Sequence, residues 1–297
     1  MQAFAGKEVI KMLTADLIDQ FKTKIYAHYK SSGRTFVWRE HITPYRVVVS
    51  EVMLQQTQTD RVTQKFDLFI EQFPDFLALA SAPFDHVLRY WKGLGYNRRA
   101  QALQKIARCI VDQFDGQLPD DPKVLQTFPG LGPATASSIV AFAYNKPTVF
   151  IETNIRTVFI YTFLGELESL QGVCRGACPT TQLVSDASII PLVAQTLDQE
   201  NPRRWYYALM DYGVMLKKTV GNLNHLSAHY TKQSRFEGSD RQIRGKILQV
   251  LLDFPGISYD GMVAELGKAP ERVARILDDL CREEFVCYRN KGLWLGK

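Results

Sequence analysis

Leu125-Gln126-Thr127-Phe128-Pro129-Gly130-Leu131-Gly132-Pro133-Ala134-Thr135-Ala136 decides the architecture of this chain. It lies between two segments of helical pattern, 121–127 and 133–145, and its two glycines permit a tight turn with positive φ. Such a turn leaves the first amides of the following helix pointing outward. That is an anion site suited to a nucleic-acid phosphate, although it carries no base information. By itself the pattern also fits an ordinary turn between two helices; its weight comes from lying between two unusual carboxylates.

The first carboxylate is Glu51, in Pro44-Tyr45 through Ser50-Glu51-Val52-Met53-Leu54-Gln55-Gln56-Thr57. It interrupts the apolar run Val47, Val48, Val49, Val52, Met53 and Leu54. A carboxylate buried among such residues is expected to have a raised pKa and so to serve as a general acid near neutral pH. The second is Glu152, in Phe150-Ile151-Glu152-Thr153-Asn154-Ile155-Arg156, at the opening of a helix. It fits either a charge placed to suit the helix dipole or the second member of a catalytic pair. Two carboxylates flanking a glycosidic bond divide the labour: one protonates the leaving group, the other stabilises the oxocarbenium-like centre or orients water.

Around these motifs the periodicity predicts an all-α chain as far as about residue 230. Helices are expected over 14–30, 45–57, 61–73, 75–81, 83–92, 97–114, 121–127, 133–145, 154–165, 186–199 and 201–216, with Trp38-Arg39 in a loop. Pro74, Pro83, Gly93, Gly95, Gly116 and Pro119 punctuate the series. The tail differs: three helices, 241–252, 259–266 and 271–284, precede a hairpin turning at Asn290-Lys291-Gly292, the pattern of a small winged-helix-like α+β unit. Its third helix has three arginines against five acidic residues, a poor surface for a phosphate groove, so a protein contact, or DNA contact through the wing or the first helix, is at least as good an expectation.

The 297 residues carry 36 Lys and Arg against 31 Asp and Glu. Residues 217–246 hold seven basic groups against two acidic ones, a local excess equal to that of the whole chain and a plausible phosphate-contacting strip. The five cysteines (Cys109, Cys174, Cys178, Cys281, Cys287) are scattered and read as reduced thiols of a cytosolic protein. No run is apolar enough for a membrane span, and 1–13 lacks a signal-peptide core. The chain is expected in the cytoplasm, at the nucleoid in a bacterium.

In this order, Trp38-Arg39, Pro44-Tyr45, Ser50 through Gln58, Trp91-Lys92-Gly93-Leu94-Gly95-Tyr96, Pro129-Gly130-Leu131-Gly132, Asn154 and Met210-Asp211-Tyr212-Gly213 resemble the helix-hairpin-helix (HhH-GPD) superfamily of DNA glycosylases, most closely the MutY type. The resemblance covers about 14–216 and implies two helical lobes with a DNA cleft between them. It implies one lobe from 1–35 and 140–235 and a second from 36–139 with the hairpin at 125–136; the winged-helix-like unit, 239–297, stands where the MutY type carries a C-terminal domain that reads 8-oxoguanine on the opposite strand. It implies Glu51 as the acid, with Glu152 and Asn154 beside it in catalysis, and Arg39 in the base pocket. Gln55, Gln56 and Tyr96 would meet DNA around the extruded nucleotide, and Gly130 and Gly132 would hold a phosphate. Trp91 reads better as core.

Four departures from the family pattern shape the expectations. Glu152 stands where relatives usually carry aspartate. Lys217 stands where the first of four cluster-binding cysteines would be, so no iron–sulfur cluster, and no other cofactor or metal, is expected; Lys217 and Lys218 are assigned instead to DNA. Ala134 replaces the lysine nucleophile of bifunctional relatives, so strand cleavage is not expected. Tyr207 replaces the Glu or Gln that reads the adenine edge and is assigned to the base pocket. The implied protein is a monofunctional DNA glycosylase, acting as a monomer on double-stranded DNA with a damaged or mismatched base. Adenine is the first choice of substrate. The alternatives are another damaged base, or a degenerate glycosylase that binds damaged DNA and recruits a partner through 240–297.

Overall fold

The computed structural model describes residues 12–164, 183–232 and 235–296. In chain order the helices are α1 (Ala15–Ser32), α2 (Val37–Glu40), α3 (Pro44–Leu54), α4 (Thr59–Gln72), α5 (Phe76–Ser81), α6 (Phe84–Trp91), α7 (Arg98–Gln113), α8 (Pro122–Leu125), α9 (Pro133–Tyr144), α10 (Thr153–Phe159), α11 (Asp186–Thr196), α12 (Pro202–Thr219), α13 (Asp240–Asp253), α14 (Tyr259–Leu266) and α15 (Pro270–Arg282). A π-turn, Ile160–Leu164, extends α10, and a 3₁₀ turn, Leu223–Leu226, follows α12. Strands β1 (Val286–Arg289) and β2 (Gly292–Leu295) close the chain. Cys174 and Cys178 lie outside the described residues.

The punctuation expected from the sequence operates as capping. Thr14, Asp75, Asp121, Ser185, Ser239 and Ser258 each accept a backbone N–H from the first turn of the helix they precede. Proline occupies the opening position of α8, α9, α12 and α15, where a missing N–H costs nothing. One expected loop is not a loop: Val37–Glu40 forms a single helical turn, which buries Trp38.

The described residues form two compact units. One contains the chain up to Val47, then Asp120–Thr127 and Leu131–Lys232. Its core is aromatic: Phe21 of α1 meets Phe163 at 4.9 Å, and Phe159 and Trp205 each at 5.7 Å, in edge-on pairs. Helix α12 packs along α10, and the approach is close enough to demand Gly213. A Cβ there would collide with the backbone carbonyl of Asn154 and lie 2.8 Å from its Cβ.

The other unit contains Val48–Pro119, Phe128–Gly130 and Gln233–Lys297. The tail therefore belongs with the helices α4–α7. Helices α13, α14 and α15 bury Ile243, Ile247, Leu251, Met262, Val273 and Leu277 in one core, against which Phe84 of α6 also packs. Polar ties add to this: Arg89 Nη2 donates to the Leu252 carbonyl at 2.7 Å, Gln101 Nε2 to the Glu283 carbonyl at 2.9 Å, and Arg98 is bidentate on Glu283. Strands β1 and β2 pair antiparallel with Val286 opposite Leu295, around a two-residue turn in which Asn290 and Lys291 both have positive φ. An isolated bridge from Ile257 to Leu293 adds a short third member. The winged-helix-like pattern is present, but the exposed arginines of α15 are already paired: Arg272 and Arg275 with Asp240, and Arg282 with Asp279.

Candidate active site

Glu51 sits in the last turn of α3. Its neighbours Val48, Val49, Val52 and Met53 are at most 2% exposed, but Glu51 itself is only half-buried, so the apolar run surrounds its backbone rather than enclosing its carboxylate. The helix ends three residues later in a loop where Gln56 adopts φ 54°, and the loop after α6 places Tyr96 at φ 47°. Non-glycine residues pay for this left-handed conformation and hold it only where the surroundings enforce it.

The enforcing group is Arg99. It is buried, and its Nη1 donates to the carbonyls of Val52, Met53 and Gln55 at 3.0, 2.7 and 2.5 Å. Its Nη2 donates to Thr57 Oγ1, Leu94 O and Gly95 O at 2.8, 3.0 and 3.2 Å. One guanidinium thus gathers the carbonyl end of α3 and the Gly93–Tyr96 loop together, complementing the negative end of the helix dipole. Burial pulls its pKa down to about 10, opposed by Tyr96, so it remains charged at neutral pH. Gln55 adds a second tie: its Nε2 donates to the Gly130 carbonyl at 3.2 Å, so the side chain expected at DNA is joined to the hairpin turn. Trp91 is fully buried, its Nε1 donating to Gly95 O, as core packing requires.

In the hairpin only one glycine has the expected backbone. Gly130 has φ 77°, and a Cβ there would stand 3.0 Å from Ala102 Cβ. Gly132 has φ −78°, which any residue adopts, and nothing within 4 Å of an added Cβ. It is the N-cap of α9, and its missing side chain leaves that helix start uncovered.

Glu152 is the N-cap of α10. Its Oε1 accepts from the amides of Asn154 at 3.0 Å and Ile155 at 3.2 Å, and its Oε2 from Asn154 Nδ2 at 3.4 Å. Desolvation by its packed surroundings pushes its pKa up; the hydrogen bonds from Asn154 and Ile155, and the charge of Arg156, pull against that without cancelling it. The helix-start reading of the sequence is thus realised, and by a carboxylate that is also desolvated.

In the same unit Arg39 and Tyr207 meet. The Arg39 guanidinium lies 4.3 Å from the Tyr207 ring centre and 5.0 Å from that of Phe36, while Phe142 stacks on Tyr207 at 4.9 Å. Tyr207 is left 7% exposed, so a base could stack on its face only by displacing one of these neighbours. Arg39 Nη1 also bonds both oxygens of Asp211 at 3.1 Å. Arg34 grips the same carboxylate through its backbone amide at 2.7 Å and its Nε at 2.8 Å. The Asp211 side chain is 1% exposed. Lys217 and Lys218 are exposed on the last turn of α12, and Lys217 lines a hollow with Arg156, Asn222, Asn224, Ser227 and His229.

Arg99, Arg34 and Asp211 carry much of this geometry; the sequence reading gives Arg99 and Arg34 no role and has Asp211 only as part of the Met210-Asp211-Tyr212-Gly213 motif. A signal existed for two of them. Arg99 falls on the stripe of Leu103, Ile106 and Ile110, and Asp211 on that of Ala208 and Tyr212; a charge on an apolar stripe needs a buried partner.

The sequence pattern of the HhH-GPD superfamily base excision DNA repair proteins matches residues 49–168, a span that holds Glu51, the Gly130 turn and Glu152. The adenine DNA glycosylase of Mycolicibacterium smegmatis is 31% identical over 247 residues, covering 77% of this chain and 80% of its own length. The chain belongs to the HhH-GPD superfamily. An adenine DNA glycosylase of Mycobacterium tuberculosis is 30% identical over 283 residues, 89% of each chain. Among solved structures, a thermostable thymine-DNA glycosylase matches in fold with a TM-score of 0.57 at 22% identity, covering 67% of this chain and 86% of its own. The HhH-GPD membership spans both units, and Glu51 falls in one of them and Glu152 in the other. Among the described residues no helix is long and apolar enough to cross a membrane.

Proposed function

We propose that this HhH-GPD protein is a monofunctional adenine DNA glycosylase. It extrudes a mispaired or lesion-opposed adenine from duplex DNA and hydrolyses its N-glycosidic bond. The observation that carries the reading is the Arg99 node: it holds the turn after Glu51 and the Tyr96 loop in one fixed, strained arrangement. Opening a base stack needs a rigid element, because unstacking costs a few kcal/mol that a mobile loop could not supply.

Glu51, half-buried and next to that loop, donates a proton to the adenine ring as the C1′–N9 bond breaks and its electron pair passes to the base. The sugar is left with oxocarbenium character. Ionised Glu152 stabilises it, and water then adds at C1′, giving up its proton to an acceptor carboxylate. The hydrogen bonds from Asn154 favour the ionised form of Glu152, and Asn154 fixes the carboxylate's orientation. Gln56 and Tyr96 occupy the space of the extruded base, and the uncovered start of α9 beside Gly130 and Gly132 takes a backbone phosphate. Arg39 and Tyr207 serve as a packed wall of the base pocket. Lys217 and Lys218 contact phosphates on the flank.

No amine stands at Ala134, so no Schiff base forms and the product is an intact abasic strand. The residues around Lys217 do not fit an iron–sulfur cluster. They are cations, amides, hydroxyls and an imidazole rather than thiolates.

Single-turnover excision on duplexes with adenine opposite 8-oxoguanine, guanine or cytosine tests the proposal, with products scored before and after alkali. Cleavage only after alkali, lost in Glu51→Gln, is expected. Cleavage without alkali would refute the monofunctional assignment; no product from any adenine duplex, with tight binding retained, would refute adenine as the target and leave a different damaged base or a DNA-binding module. Stoichiometric iron in the purified protein would overturn the absence of a cluster.

A further inference from the structure

The tail reaches the Tyr96 loop. Arg241, in the first turn of α13, donates from Nη1 to the Tyr96 hydroxyl at 2.7 Å, and its guanidinium lies 5.4 Å from the centre of the Tyr96 ring. The Arg99 guanidinium lies at the same distance from that ring. Phe236, 55% exposed, has its ring centre 5.4 Å from the Arg241 guanidinium. Arg241 is thus flanked by two aromatic rings, one from the Tyr96 loop and one from the segment leading into α13. The helix presenting it is anchored at its far end by Arg89 on the Leu252 carbonyl and along its length by Arg244 on Glu283, which Arg98 also holds.

We infer that Arg241 is a positioning residue for base extrusion: it fixes the Tyr96 ring in the orientation that enters the base stack, which makes the C-terminal unit a working part of the DNA-opening surface. The inference rests on the proposed role of Tyr96. The backbone of Tyr96 is in the left-handed region, and Arg99 secures the loop behind it, but neither fixes the ring torsions. A hydroxyl held by a guanidinium on an anchored helix does, and a ring with one orientation pays no ordering entropy when bases close on it. The stacked guanidinium also leaves positive charge where phosphates pass. Of the acidic groups near α13, Asp240 is paired with Arg272 and Arg275 and Glu283 with Arg98 and Arg244, while Glu237 and Asp253 accept from the neutral side chains of Gln242 and Gln249.

The test uses the full chain with Arg241→Ala, Tyr96→Ala and the double variant. Two duplexes are compared, one fully stacked and one with the target adenine in a pre-opened bulge. 2-Aminopurine beside the target reports unstacking by fluorescence, independently of excision, and unfolding midpoints are recorded alongside. Both single variants should lose the fluorescence rise and slow excision about tenfold on the stacked duplex, shrinking to about twofold on the bulged one. The double variant should be no worse than the worse single. A normal fluorescence rise in Arg241→Ala, with the rise lost in Tyr96→Ala, would overturn the inference alone. Equal losses on both duplexes, or additive losses, would reduce Arg241 to a structural tie. A normal rise in Tyr96→Ala would overturn the role of Tyr96 and this inference with it.

Discussion

The two carboxylates are held by different physics. Around Glu51 the organising group is a buried cation, Arg99, which donates to five carbonyl oxygens and one hydroxyl. Around Glu152 it is backbone: the carboxylate caps a helix start and accepts its amides, and α12 approaches so closely that Gly213 admits no side chain. Behind that helix a buried anion, Asp211, gathers two arginines. One region is thus built on a cation among dipoles and the other on an anion among cations. Damage to one need not reach the other, which makes the comparison testable.

The largest effect is expected from Arg99→Ala. It strands carbonyls at the end of α3 and in the Gly95 loop, and should lower the unfolding free energy by about 4 kcal/mol while abolishing the 2-aminopurine signal of base opening. Asp211→Ala leaves two guanidiniums without their buried counter-charge and should cost about 3 kcal/mol in urea unfolding. Unlike Arg99→Ala, it should leave that fluorescence signal in place at temperatures where the protein is folded. Loss of base opening in both variants would break the separation of the two regions.

Gly213→Ala comes next. The added methyl pushes against the Asn154 carbonyl, and a displacement of the capped carboxylate of about 1 Å should slow single-turnover excision about 10²-fold for about 2 kcal/mol of stability. A rate within threefold of the parent would show that Asn154 and Glu152 need no such register.

Glu152→Gln separates capping from charge. Its amide oxygen can still cap α10, so at low pH stability should change by about 1 kcal/mol or less. The native pKa of Glu152 is raised, so the folded state keeps a proton that the unfolded chain has released. Its favourable contribution is complete below the unfolded carboxylate value and falls away as pH rises through the native one. The glutamine variant should therefore gain stability relative to the parent as pH rises, and the acid limb of the parent's excision rate, set by ionisation of Glu152, should disappear. Parallel stability–pH curves would contradict the raised pKa.

The smallest effect is expected at Glu283, whose carboxyl is held below its ordinary range by Arg98 and Arg244 against desolvation. Arg98 is largely exposed, so Glu283→Gln should cost only about 0.5–1 kcal/mol, and that difference should fade as pH falls through the native pKa. A loss of several kcal/mol would mean that this pair, rather than the apolar core including Phe84, secures the tail.

Much of this was readable from local pattern. Most helices fall within a few residues of their expected limits because caps and prolines act on adjacent residues. Trp91 as core and Asn290-Lys291 as the hairpin turn follow in the same way. What local pattern missed is equally specific. Gly132 looked like a second positive-φ glycine because spacing does not report φ. Glu51 looked enclosed because an apolar run describes a helix's neighbours in sequence, not the packing around one side chain. Arg99 was passed over because its hydrogen-bond acceptors lie in segments up to 47 residues away.

By itself, then, the sequence determined which residue types could do chemistry and in what order: an acid, a glycine turn, a second acid on a helix start, and no amine at Ala134. Those follow from composition and short-range geometry. Only the tertiary structure decided that Arg99 is the node of the Glu51 loop, that Arg39 and Tyr207 are packed against Asp211 and Phe142, and that Arg241 of the tail holds Tyr96. Each is a long-range pairing of a buried or half-buried polar group. Its partner is selected by the cost of leaving a charge or carbonyl unsatisfied, a cost that arises only once the chain has closed around it.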